Sequence, residues 1–299
     1  MCDIQDVYKL YDDFILVEDC LPVLVKRIGR PTYDFDFRSY FSCKSITEKI
    51  DIPVVLRTGA LGDFDGVRIL LENNEFTIIH SKEQYNRASV IDHWYPLLKD
   101  ITPKTIVYDS LPDIALVKKD FEFPIFIKGE RQTAKHKKNL SIITNELEYD
   151  NLVKEWSRNR MLWWQRMAVR EFVPLQQVSS EYSDMIPASF EFRVFFWKKQ
   201  LAAIGQYWYF VKDYSMTKED ESDALSLAQQ AANRIDVTFL VVDIAKTQEG
   251  KWIVIEVNDA QESGCAGVNQ IFLWNRVLEI ERLKGYETVI INETGGRML

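Results

Sequence analysis

The sequence predicts an α+β fold built mainly of antiparallel sheet, and three observations carry that prediction. From Phe121 onward the pattern runs strand, strand, helix, strand, hairpin, helix, hairpin, an order that suits helices packed on antiparallel sheets. Two long segments, SFEFRVFFWKKQLAAIGQYWY and FLVVDIAKTQEGKWIVIEVND, read as hairpins, each a pair of apolar strand runs broken by one polar turn. Neither Gly-x-Gly-x-x-Gly nor Gly-x-x-x-x-Gly-Lys-Ser/Thr occurs, so no Rossmann site and no P-loop is signalled.

Composition bounds the rest. The chain has 299 residues, 46% apolar and 27% charged, enough to bury a full core without disulfide or metal staples. With 45 acidic against 37 basic residues its formal charge is -8, which argues against general nucleic-acid binding, an interaction that rests on clustered Lys and Arg. Cys2, Cys20, Cys43 and Cys265 lie far apart with no Cys-x-x-Cys, as expected of free thiols in a reducing compartment. The start, MCDIQDVYKLYDD, is acidic and amphipathic, and no apolar run approaches the roughly 20 residues of a membrane span. A cytoplasmic protein without membrane contact is the expectation.

Taken in order, PVVLRTG (Pro53 to Gly59) reads as a buried strand, DFDGVRILLEN as a helix or turn, and FTIIHS (Phe76 to Ser81) as another strand. Lys82 to Leu98 reads as one helix with Tyr85, Ala88, Ile91, Trp94 and Tyr95 on one side. Residues 1–110 are therefore expected to form a small α/β domain and residues 111–299 a second one. In the second, FPIFIKG is a strand carrying Lys128, LSIIT is a strand, Glu146 to Arg160 is an amphipathic helix, and MAVREFVPL is a strand with a proline-marked exit. The first hairpin turns at Lys198-Lys199, and a helix spans Lys218 to Ile235.

The last hairpin carries chemistry. Gly250 supplies the positive φ of a tight turn, and a turn centred between Glu249 and Gly250 sets Thr247 opposite Trp252, Ala245 opposite Val254, Asp243 opposite Glu256 and Val241 opposite Asn258. Asp243, Glu256 and Asn258 then share a face with Phe239, Val241, Ala245, Trp252 and Val254. Two opposed carboxylates repel unless a cation or a proton lies between them. A hard cation such as Mg²⁺ wants oxygen ligands, commonly one or two carboxylates together with nucleotide phosphates.

In their order, the Lys strand FPIFIKG, the strand and exit VREFVPL, the EFRVFF strand and the pair VVDIA and VIEVND resemble the ATP-grasp superfamily. More narrowly they resemble the clade defined by two arginines and a lysine, here Arg170, Arg193 and Lys128. The resemblance covers about Phe121 to Asn269 and implies an ATP-grasp fold of two α+β subdomains. It implies that Lys128 contacts the α- and β-phosphates of ATP, that Glu171, Phe172 and Val173 form the hinge around the adenine with Arg170 beside them, and that Arg193 neutralises phosphate or a developing acyl phosphate. It maps Asp243, Glu256 and Asn258 onto the Mg²⁺ ligands. Where many members carry a glycine-rich loop this chain has GERQTAKHKKNL, whose cations, Lys137 among them, would cover the triphosphate. The aromatic-rich stretch from Trp156 to Trp208 falls on elements that would enclose the base, Phe172 nearest it.

The resemblance implies an ATP- and Mg²⁺-dependent carboxylate-amine ligase working through an acyl phosphate, with Lys128 and Arg193 as the catalytic groups. Its partners would be the nucleotide and a carboxylate and an amine from a metabolite, peptide or protein. The competing expectation is a non-catalytic ATP-binding assembly or regulatory protein with the same fold.

Overall fold

The computed structural model describes residues 14–25, 35–46, 50–57, 59, 64–131, 138–179 and 185–294, with side chains through 283. Three four-stranded sheets form the framework. In the first, β1 (Phe14–Val17) and β2 (Leu21–Leu24) form an antiparallel hairpin. The short helix α1 (Phe37–Tyr40) leads to β3 (Cys43–Ser45) on the far side of β1, and β4 (Val55–Leu56) adds parallel to β2. Helix α2 (Phe64–Asn73) packs Phe64, Val67, Leu70 and Leu71 with Phe14, Leu24 and Leu56.

Two expectations for this region are corrected. Phe76 to Ser81 is not a strand: only Ile78 forms a bridge, parallel to Val54, while Phe76 stacks on Phe14 at 4.6 Å. The single helix over Lys82 to Leu98 is two, α3 (Lys82–Ser89) and α4 (Ile91–Leu98), separated by an extended Val90. The break has a tertiary cause. Ile91 donates its N–H to the carbonyl of Glu130 instead of to a preceding turn, so the helical ladder cannot run through. Helix α3 starts at a capping box formed by Ser81 and Gln84.

The second sheet comprises β5 (Thr105–Tyr108), then, after the one-turn helix α5 (Ile114–Val117), β6 (Ile125–Gly129), β7 (Ile142–Ile143) and, beyond α6 (Glu146–Trp156), β8 (Met167–Glu171). Its order is β5-β8-β6-β7, antiparallel throughout. The expected boundary at residue 110 is displaced, because β5 pairs with β8 and so belongs to this sheet. Period-two alternation divides the strands. Ile125, Ile127, Ile143, Met167 and Val169 pack on Tyr149, Leu152 and Trp156 of α6, which leaves Phe126, Lys128, Ile142 and Arg170 to the opposite face. The helix ends at Trp156, four residues before the expected Arg160.

A two-stranded ribbon, β9 (Gln177–Ser179) with β10 (Ala188–Ser189), leads into the third sheet. There β11 (Glu191–Trp197) and β12 (Gln200–Gln206) turn at Lys198 and Lys199, as expected. Both turn residues have positive φ, 48° and 64°, matching the twist that a two-residue hairpin requires. Helix α7 (Lys218–Ile235) follows, capped by Thr217 and with Glu219, Asp220 and Glu221 in its first turn, where the helix dipole favours negative charge. Then come β13 (Phe239–Lys246), β14 (Trp252–Asp259) and α8 (Gln270–Thr294).

The order β12-β11-β13-β14 is antiparallel. One face packs Phe192, Val194, Val242 and Ile244 on alanines of α7. Part of the other packs Phe195, Trp197, Phe239 and Val241 on Val17, Val23 and Val55 of the first sheet and Trp274 of α8. The first sheet therefore shares a core with the third.

At the edge strand β12 two backbones nearly touch. A Cβ on Gly205 would lie 2.5 Å from the carbonyl carbon of Gly267, whereas one on Gly264 would meet nothing within 4 Å. Gly205→Ala is expected to cost about 1–3 kcal/mol of stability by forcing backbone apart, and Gly264→Ala to cost nothing measurable. Equal unfolding midpoints in urea for the two variants would refute the close-approach account.

Candidate functional site

A row of polar residues crosses the third sheet. Gly205 opposes Arg193, Arg193 opposes Asp243, and Asp243 opposes Glu256. Asp243 thus faces Glu256, and Val241 faces Asn258, as the hairpin spacing predicts. Nearer the turn the expected register is corrected: Ala245 opposes Ile253 and Lys246 opposes Trp252. The turn closes one residue earlier, with Thr247 donating to the carbonyl of Lys251 and Gly250 at φ 85°. A β-bulge at Ile255 then restores the pairing of Asp243 with Glu256. The bulge also has a partner, for the Ile255 carbonyl accepts from Arg170 Nη1 at 2.7 Å.

The charges of this row are buried and matched. Arg193 grips Asp243 with Nε to Oδ1 at 2.8 Å and Nη2 to Oδ2 at 2.7 Å, and donates Nη1 to the carbonyl of Gly264 at 2.7 Å. Burial alone would lower the pKa of Arg193, but the Asp243 carboxylate outweighs it and holds the guanidinium above its ordinary value. The ring of Tyr207 lies 5.0 Å from the guanidinium. Lys128, from the second sheet, pairs through Nζ with Glu256 Oε2 and so bridges the two sheets.

Arg170 makes the second bridge. Besides Ile255 it reaches Thr105 Oγ1 at 3.0 Å and Thr102 Oγ1 at 2.7 Å. Desolvation pushes its pKa down to about 10, although the charge of Glu256 opposes the shift. Thr102 in turn donates to the Val254 carbonyl, and Val254 donates to that of Ile101, so the edge of β14 is covered where it meets the second sheet.

Between the sheets lies a cleft of about 830 Å³, open to solvent. Phe126, Ile142 and Arg170 form one wall, Ile253 and Ile255 the other, and Glu171, Phe172, Val173 and Leu175 the connecting strip, while Glu191, Ser189 and Trp208 line it farther along. A mostly apolar cleft with a few convergent polar groups is the usual form of a small-molecule site.

The structure thus brings Lys128, Arg170, Glu171, Phe172, Val173, Arg193, Asp243 and Glu256 to one cleft and its charged rim, with the half-buried Asn258 two residues beyond Glu256 on the same strand. Lys137 and His136 lie outside the described residues. Among the described residues no group of three or more His, Cys, Asp and Glu is placed to hold a metal ion. The oxygen set for a hard cation is the carboxylate of Glu256 with the amide of Asn258, and Asp243 stands opposite with both oxygens on Arg193. That donor chemistry fits Mg²⁺.

Some neighbours lack a motif in the sequence. Glu191 stands two residues before Arg193 inside a fully buried strand, and an acid among phenylalanines is the one signal that could have found it. It does not pair with Arg193: its Oε2 accepts from Trp208 Nε1 at 3.0 Å and Ser189 Oγ at 3.1 Å. Just past Asn258, Asp259 meets a fully buried His80 at 2.9 Å. Nε2 of His80 accepts the Phe239 N–H at 3.0 Å, so the ring proton sits on Nδ1 and is donated to Asp259.

Residues 120–277 match an ATP-grasp domain family, the third of the clade named for two arginines and one lysine. In structure the chain is similar to a RimK domain ATP-grasp protein from Sphaerobacter thermophilus, at TM-score 0.51 and 16% identity over 71% of this chain and 73% of that one. It is less similar to N5-carboxyaminoimidazole ribonucleotide synthetase from Thermotoga maritima, at TM-score 0.45 and 16% identity, covering 66% of this chain and 48% of that one. An L-amino acid ligase from Bacillus licheniformis aligns at TM-score 0.47 and 11% identity, covering 69% and 48%. The chain spans about half the length of these last two. No curated protein matches it in sequence.

Because Asp243 neutralises a buried guanidinium, its loss should be felt in stability before any ligand is added. Asp243→Ala is expected to cost about 3–5 kcal/mol, the penalty of stranding one partner of a buried pair, and replacing both residues in Asp243→Leu/Arg193→Met should recover most of it. Chemical denaturation of the two variants tests this. A single variant as stable as the parent would show that the pair is solvated.

Proposed function

From the premise that the chain belongs to the ATP-grasp family, we propose that it is an ATP- and Mg²⁺-dependent carboxylate-amine ligase. The observation that carries the reading is the junction of an apolar cleft with a buried rim of Lys128, Arg193, Asp243 and Glu256 at one end. An apolar slot suits a base, and convergent cations suit a polyphosphate. In this reading the adenine lies between Phe126, Ile142 and the Ile253–Ile255 wall, with Glu171, Phe172 and Val173 along its edge.

Lys128 holds phosphate oxygens once its ammonium exchanges Glu256 for nucleotide. Glu256 and Asn258 hold Mg²⁺, and Asp243 supplies the second negative charge. The bound ion draws charge from the phosphates. Arg193, kept charged by Asp243, faces the transferring phosphoryl group with a fixed planar cation, the kind of preorganised charge that favours such a transition state. Arg170 holds β14 against the second sheet. The substrate carboxylate attacks the γ-phosphorus as ADP leaves, and an amine then displaces phosphate from the acyl phosphate. Positioning and charge suffice for this chemistry, without a Ser or Cys nucleophile. The acceptor is a peptide or small metabolite bound where the first sheet meets the third. Among the described residues no helix is long and apolar enough to cross a membrane.

With Mg-ATP at about 100 times its Kd, binding should stabilise the fold by about 2.7 kcal/mol, read as a rise in thermal midpoint. Lys128→Ala and Glu256→Gln should abolish the rise, and ADP should be released only with the right carboxylate and amine, sought among pooled candidates. Nucleotide-dependent stabilisation without ADP release under any pool would assign the chain to the binding-protein alternative.

A further inference from the structure

Glu191 is not needed for phosphate transfer, yet it is one of the most deeply buried acids of the third sheet, with 4% of its surface exposed, and it lines the cleft. Its place along the sheet is informative. On β11 it lies one pleat repeat, about 7 Å, from Arg193 toward the strip formed by Glu171 to Leu175. Glu191 opposes Ala245, while Leu175 bridges Thr247 two residues farther on. A nucleotide whose phosphates meet Lys128 and Arg193 therefore runs its base toward Glu191.

The side chain is also aimed. Trp208 Nε1 and Ser189 Oγ both donate to Oε2, and the backbone carbonyl of Glu191 accepts from the Tyr214 hydroxyl at 2.6 Å and the Tyr207 N–H at 2.9 Å. Strand, ring and hydroxyl fix one carboxylate orientation beside an apolar slot. Such a carboxylate is an acceptor only.

Resting on the nucleotide reading above, we infer that Glu191 selects the base, accepting a hydrogen bond from the exocyclic amine of a 6-aminopurine and rejecting a 6-oxopurine. The physical basis is complementarity. Adenine presents an N–H donor at position 6, whereas hypoxanthine and guanine present a carbonyl acceptor. Opposing a carbonyl to a buried carboxylate leaves two acceptors without a proton, and sites built around a donor discriminate strongly against analogues that lack it. The inference concerns discrimination, so Glu191 is a specificity residue and takes no part in the chemical step.

The experiment compares Mg-ATP with Mg-ITP, which share sugar and phosphates and differ in the 6-substituent. Affinities are measured by calorimetry for the parent chain, Glu191→Gln and Ser189→Ala. The parent is expected to prefer ATP by about 100-fold or more. In Glu191→Gln the donors Trp208 and Ser189 hold the amide oxygen where Oε2 stood, which turns the NH₂ into a donor suited to a 6-oxo group. The ATP to ITP ratio should fall at least about tenfold, the value of one buried hydrogen bond. Ser189→Ala, which removes one aiming donor and little volume, should narrow the ratio by a few fold while leaving the fold intact. If both variants bind ATP with the parent's ratio, the inference is overturned, and an equal loss for the two nucleotides would mark Glu191 as a ribose or structural contact. A parent chain that binds neither nucleotide overturns the ligase reading itself, a result distinct from an unchanged ratio.

Discussion

Everything at the cleft depends on how four buried charges are arranged. Asp243 and Glu256 face each other across β13 and β14, and two ionised carboxylates in that position repel. The repulsion is met from two directions, by Arg193 on the neighbouring strand and by Lys128 on another sheet. Because Lys128 comes from a different layer, the same neutralisation that permits the acids also ties the sheets together. The cost of burying charge is offset only where the geometry is close and bidentate, and the Arg193–Asp243 pair has that geometry.

The remaining contacts between the layers follow from that tie. The bulge at Ile255 turns one carbonyl toward Arg170, and Arg170 is anchored on Thr102 and Thr105. The second and third sheets are therefore joined at two points along β14, by Lys128 to Glu256 and by Arg170 to Ile255. The cleft opens beside these joints, with Arg170 and Ile255 in its walls. A flat register would have kept the Ile255 carbonyl in the ladder, leaving a guanidinium with neither water nor acceptor.

How much of this is legible in the sequence depends on the range of the interaction. The opposition of Asp243 to Glu256 can be read because it needs only a turn and a period of two. The spacing alone places the turn one residue away from its position and has no bulge, and the two displacements cancel at the acids. The bulge is illegible because its cause, Arg170, lies 85 residues away in sequence. The single helix expected over Lys82 to Leu98 fails for the same reason, since the carbonyl of Glu130 captures the Ile91 N–H. Local chemistry announces the Lys198-Lys199 turn and the α7 helix, and alternation announces the faces of β6 and β8. The partners of Lys128 and Arg193 require the fold, as does the aim of Glu191.

The first sheet, which resembles nothing in sequence, proves to brace the end of the strand that carries Glu256 and Asn258. Beyond Asn258 the chain enters a buried knot in which Asp259 meets His80, Gln261 accepts the Leu56 N–H at 2.8 Å, and Arg57 donates to the carbonyls of Ala260, Gln261 and Ser263. Every one of these partners comes from the N-terminal third of the chain. The Arg57 guanidinium gathers carbonyls that no strand could satisfy, and the orphaned groups of a buried loop would otherwise cost heavily. Gly264, whose carbonyl Arg193 engages, sits in the same loop. The loop thus hangs between two arginines, one in each layer, and the position of Arg193 depends on residues near 57 and 80 that make no contact with the cleft. A domain that looks detachable by sequence is therefore part of what holds the charged row in register.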